Sequence, residues 1–104
     1  MTEKLATLKT DGDVSIITLD DGKANVFSLT MSQRIENLLD EVPEDKGALL
    51  LIGKPGMFSA GFDLKVMSSG DGAAVQEMVY HGALWCAMVR CSALYCAIGF
   101  YSVL

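Results

Sequence analysis

Basic residues, histidine, proline and cysteine pairs are what this sequence has little of, and each shortage excludes something. Only 8 lysines and arginines stand against 13 aspartates and glutamates, for a net charge of −5 at pH 7. A binder of phosphate backbones needs a basic stripe, so nucleic acid is not an expected partner. The three cysteines, Cys86, Cys91 and Cys96, form neither a CxxC pair nor a zinc pattern. No metal site is expected, and all three are read as buried small hydrophobes. Met1-Thr2-Glu3-Lys4 leads into alternating sequence rather than an apolar leader, so no secretory signal is visible. A cytoplasmic location with reduced thiols is the matching expectation. Internal repeats and low-complexity linkers are also missing. At 104 residues the chain is one domain or less. Its 51% hydrophobic content excludes a disordered chain.

The charges that are present are unevenly spread. All acidic residues lie at or before Glu77, and from Ala83 to Leu104 the only charge is Arg90. An ordinary charged part, residues 1–84, is thus followed by an apolar tail, residues 85–104. That tail is near the length of about 20 residues that spans a bilayer. Arg90 and the lack of flanking bases argue against a membrane segment, since arginine near a helix centre costs about 2.5–3.5 kcal/mol. A core helix followed by a strand from about Cys96 is the expected arrangement.

Leu5–Thr10 and Val14–Leu19 read as two strands of a hairpin turned by Asp11-Gly12-Asp13. Thr30, with Gln33 three residues later, suggests the capping box of a helix. Met31, Ile35, Leu38, Leu39 and Val42 give that helix one apolar face, and Pro43 suits its end. The continuous apolar run Ala48–Ile52 predicts a strand covered on both faces of a parallel or mixed sheet. Asp63 is expected to start a short helix. From Ala73 to about Cys91 the spacing predicts another, with Val75, Met78, Val79, Leu84 and Trp85 as candidates for burial. Helix, buried strand, loop and helix in that order indicate an α/β layered fold. His81, inside the last helix, reads as a structural or exposed residue, with Glu77 one turn earlier as a surface partner.

Between the apolar strand and Asp63 lies the run Phe58-Ser59-Ala60-Gly61-Phe62-Asp63-Leu64. A strand passing through a tight glycine loop into a helix leaves backbone N–H groups unpartnered near the strand's carboxyl end. Such groups can bind phosphate or stabilise an oxyanion, provided small residues allow close approach. Gly53-Lys54 lacks the upstream glycine and following Ser or Thr of a P-loop, and no G-x-G-x-x-G occurs. Local physics leaves two readings open: a ligand loop, or a connection that needs glycine only for its turn.

The block F-S-A-G-F-D-L with Lys65 resembles the F-x-A-G-x-D-L/I signature of the crotonase (enoyl-CoA hydratase/isomerase) superfamily. Lys23-Ala24-Asn25-Val26-Phe27-Ser28-Leu29 resembles that family's N-A-L block, which also precedes a helix. The resemblance covers about residues 5–84 and implies a crotonase-like (ClpP/crotonase) layered sheet with helices. It implies an acyl-CoA ligand and no cofactor beyond the coenzyme A part of that substrate. Phe62, after A-G, would give one backbone N–H to the thioester oxyanion. Ala60 would meet the CoA adenine through its carbonyl. Lys23, Ala24 and Val26 would line the CoA site, although Lys23 reads equally well as a solvated turn lysine.

Members of that family run to well over twice this length. The second oxyanion donor and the glutamates that act as acid and base lie in later parts of their fold, and these residues have no counterpart here. The resemblance therefore implies a truncated domain that retains half of an oxyanion hole and is inactive alone. Self-association into a homo-oligomer is expected, to hide an apolar tail. The alternative is a non-enzymatic oligomerising protein whose CoA loop is vestigial.

Overall fold

In the computed structural model, residues 5–43, 47–90 and 95–101 are described. The first two strands are β1 (Ala6–Asp11) and β2 (Val14–Leu19), paired antiparallel with Asp11 opposite Val14. Their two-residue turn carries its positive φ at Gly12, +61°, the central position where a type II′ hairpin turn puts glycine. After β2 come the two-residue β3 (Val26–Phe27) and helix α1 (Leu29–Leu39). The chain then returns as β4 (Ala48–Pro55), parallel to β2, with Ile17 opposite Leu51. Beyond it lie β5 (Gly61–Phe62), the one-turn α2 (Leu64–Met67), the long α3 (Gly72–Arg90) and β6 (Tyr95–Tyr101). β6 pairs parallel with β4, which gives a four-stranded mixed sheet in the order β1-β2-β4-β6. The strand expected from about Cys96 is thus present. The expected end of its preceding helix at Cys91, and the tail positions 91–94 and 102–104, lie outside the described residues.

The pleat decides which residues make the core. Ala6, Ile17, Leu19, Leu49 and Leu51 share one sheet face and are buried against Met31, Ile35, Leu38 and Leu39 of α1 and Trp85 of α3. Burying a large aliphatic side chain is worth about 1.5–3 kcal/mol, so this face is the main source of stability. Val42 is buried just past the end of α1. On the opposite face Ile16, Thr18, Leu50 and Ile52 are half-buried. The expected mixed sheet is present, with β4 parallel to both neighbours, but among the described residues both long helices lie on the Leu49–Leu51 side, so the expected cover of the second face is corrected.

Other local expectations are corrected as well. α1 begins before Thr30: Ser28, in extended conformation, is its N-cap and accepts from the Met31 N–H at 3.1 Å. Ser28 supplies the oxygen of a cap, while Thr30 lies inside the first turn. In α3 the buried residues are Met78, Gly82 and Trp85, at helical spacing, and Val79 is 38% exposed. Cys86 is exposed rather than buried, and partial desolvation of its thiol raises its pKa from the ordinary value. His81 reaches across to α1: its Nδ1 lies 2.8 Å from Glu36 Oε2, so Glu36 and not Glu77 is its partner. The crossing between helices is half-buried, where a hydrogen bond competes less with water than on the surface.

Candidate functional site

The end of β4 and the loop that follows it owe their shape to two glycines. At Gly53 the chain doubles back so closely that an added Cβ would lie 2.2 Å from the Met57 carbonyl oxygen. Gly61 has φ +94°, in the left-handed region that favours glycine, while nothing of the protein lies within 4 Å of a Cβ added there. The protein itself therefore demands glycine at 61 for its backbone conformation, not for space.

This fold brings the two motif segments side by side. β5 pairs parallel with β3, Val26 opposite Gly61 and Phe27 opposite Phe62. The Ala60 N–H donates to the Ala24 carbonyl at 2.9 Å. Ser59 Oγ donates to the Asn25 carbonyl at 2.6 Å and accepts from the Gly61 N–H at 3.0 Å. The rings of Phe27 and Phe58 meet edge to face with centroids 6.0 Å apart, and Phe27 meets Trp85 at 5.3 Å. Phe62 lays its ring against α3, where a Cβ on Gly82 would come within 2.7 Å of it. All five residues singled out from sequence, Lys23, Ala24, Val26, Ala60 and Phe62, fall in this junction.

Their surroundings differ in what they leave for a ligand. Lys23 and Ala60 are exposed, and Ala24, Val26 and Phe62 are half-buried. The Asp21 carboxylate accepts from the N–H groups of Lys23 at 2.7 Å, Asn25 at 3.0 Å and Val26 at 3.3 Å. An internal anion thus already holds the main-chain donors of Lys23 and Val26. α2 is only four residues long, and its N-cap Asp63 accepts from the Lys65 N–H at 2.9 Å. The helix-dipole contribution expected from sequence shrinks accordingly, because the macrodipole grows with the number of aligned peptides.

Asn25 plays a part that its sequence neighbourhood does not announce. It is fully buried and is the non-glycine residue with positive φ, +53°, among those described. Its Nδ2 donates to the carbonyls of Leu19 at 2.9 Å and Phe58 at 3.1 Å, and its Oδ1 accepts from the Asp21 N–H at 2.9 Å. An asparagine in a turn ahead of a strand was the available signal, since asparagine tolerates the left-handed region. Among the described residues no group of three or more His, Cys, Asp and Glu could hold a metal ion. Nor is any described helix long and apolar enough to cross a membrane.

No family profile matches the chain, and no curated protein does. Solved structures do match. An enoyl-CoA hydratase/isomerase family protein from Pseudomonas syringae superposes with a TM-score of 0.88 at 24% identity, over 98% of this chain and 44% of its own. An enoyl-CoA hydratase from Mycobacterium ulcerans is 35% identical over 75% of this chain and 35% of its own, with a TM-score of 0.64. Human enoyl coenzyme A hydratase domain-containing protein 3 matches at 18% identity and a TM-score of 0.77, over 90% of this chain and 39% of its own. The chain thus spans less than half the length of each of these proteins.

Proposed function

Because the chain belongs to the crotonase (enoyl-CoA hydratase/isomerase) superfamily, we propose that it is a cytoplasmic acyl-CoA-binding protein whose site is the β3–β5 junction. The observation that carries the reading is the convergence of segments 23–26 and 58–62, tied by the Ala60 N–H to the Ala24 carbonyl at 2.9 Å. In this reading the Phe62 N–H donates to the thioester carbonyl oxygen. The Ala60 carbonyl accepts from the adenine amino group, and the exposed Lys23 ammonium faces the phosphates. The Phe62 ring is an anchor on α3, so only the main chain of that residue acts on the ligand.

One oxyanion donor is worth about 2.7–4 kcal/mol, and an acid or base contributes about 10²–10⁴-fold in rate. With one donor, and with the carboxylates of Asp21 and Asp63 already engaged by backbone N–H groups, these residues alone are proposed to bind but not turn over. Titration calorimetry with CoA and acetyl-CoA tests the binding, and hydration of crotonyl-CoA no faster than buffer is the expected activity. Absence of any binding heat overturns the reading. A second reading, a non-enzymatic oligomerising protein with a vestigial CoA loop, is favoured by Asp21 occupying the N–H groups of Lys23 and Val26. Both readings include self-association, since the sheet face bearing Ile16, Leu50 and Ile52 keeps apolar surface in contact with water. Light scattering that gives 11.2 kDa at every concentration would remove that part.

A further inference from the structure

The junction is built from two segments with no regular secondary structure of any length, so something must fix their relative position. β3 and β5 are two residues each. A ladder that short is a weak constraint by itself. We infer that Asn25 and Ser59 are positioning residues, a polar latch that fixes the Gly61–Phe62 backbone against strand β2 and so aims the main chain that the proposed ligand would meet.

Three observations carry this. First, the Asn25 carboxamide is saturated by the backbone: both Nδ2 protons go to carbonyls, one at the end of β2 and one in the loop, and Oδ1 accepts from Asp21. Two carbonyl oxygens this close would otherwise face each other, and only a group with two donors can bridge them. Second, Asn25 is fully buried and Ser59 half-buried, so water cannot replace a lost Asn25 partner without opening the junction. Third, Ser59 continues it: Oγ passes a hydrogen bond from the Gly61 N–H on to the Asn25 carbonyl. The chain of contacts therefore runs from Leu19 through Asn25 and Ser59 to Gly61, the residue before Phe62. No atom of Asn25 needs to touch a ligand for this role, and a shift of the Gly61 backbone moves the Phe62 amide with it.

The inference rests on the acyl-CoA reading only for the identity of the ligand, and its test separates the two. Amide hydrogen exchange by NMR is measured on the 104-residue chain, together with CoA titration, for the unmodified protein, Asn25→Asp, Asn25→Gly and Ser59→Ala. Asn25→Asp keeps the shape and the tolerance for positive φ but puts an acceptor against two acceptors. It is expected to speed exchange at Ala60 and Gly61 by about tenfold or more, with Ile17 and Leu51 little changed, because the opening is local. Ser59→Ala is expected to speed Gly61 alone by a few-fold. CoA affinity should fall about tenfold in Asn25→Asp while the core amides stay protected. Should Asn25→Asp fail to fold, Asn25→Gly and Ser59→Ala, which bury no charge, decide the matter in the same way. Exchange at Ala60 and Gly61 that rises no more than at Leu51 overturns the latch. Faster exchange with unchanged CoA affinity overturns its positioning role. If the unmodified protein binds no CoA, the ligand reading falls, and the exchange data still decide whether the latch holds the loop.

Discussion

The helix-covered side of the sheet and the β3–β5 junction lie in one small chain but are held by different forces. On the first, Ile17, Leu51, Met31 and Ile35 are at most 1% exposed, and cohesion comes from apolar area removed from water. In the second, hydrogen bonds between backbone groups and the side chains of Asn25, Ser59 and Asp21 tie the segments together, and of these three only Asn25 is fully buried. Apolar packing is non-directional and tolerates small adjustments, whereas a hydrogen-bonded loop has one geometry or none. The difference teaches where stability and precision are separately stored.

Three substitutions would break or sharpen that contrast, and the first acts on the core alone. Leu51→Ala should cost about 2–5 kcal/mol in urea unfolding, because it leaves a cavity between β2, β4 and the helices. It should slow no loop process selectively. A loss below about 1 kcal/mol would mean that the sheet face is far looser than its burial indicates. Gly82→Ala acts where the two regions meet. Its Cβ would lie 2.7 Å from the Phe62 ring, which has to move, at a cost of about 1–3 kcal/mol for overpacking. Alanine's better helix propensity returns about 1 kcal/mol. The net change in urea midpoint should be small, while the Phe62 amide shift in an NMR spectrum should be large; an unmoved amide would show that the ring and its backbone are uncoupled. The smallest effect is expected from His81→Ala. The half-buried pair with Glu36 links α1 to α3, and its loss should cost about 0.5–1 kcal/mol, read as a modest fall in midpoint.

How far the fold could be read from sequence depended on the range of the interaction. β2 was placed at its true bounds because alternation and the Asp11–Asp13 turn are local signals. The strand from Tyr95 begins one residue from its expected start, an expectation that rested on reading the apolar tail as core rather than as a membrane segment. The second face of β4 was misjudged because a run such as Leu49–Ile52 is apolar at every position, so the run alone does not reveal which face the helices cover. For His81, local spacing points to Glu77, four residues away, while its partner Glu36 lies 45 residues back. Within the site, the two motifs were visible one at a time. Their contact was not, because the bond from Ser59 to Asn25 spans 34 residues and exists only once the sheet has formed. Asn25 escaped notice on the same ground: nothing in its neighbourhood announces that its amide reaches the Phe58 carbonyl.

That long span has a consequence for the order of events in folding. The β1–β2 hairpin closes over a two-residue turn and can form from nearby residues alone. β2 meets β4 only after α1 has been looped out between them, which raises the entropy of closure. The junction comes later still. Phe58 is delivered to Asn25 by the end of β4, so the Asn25 carboxamide has nothing to hold until β2 and β4 are in register. What forms last contributes little to the folding barrier, and its bonds act mainly by slowing unfolding.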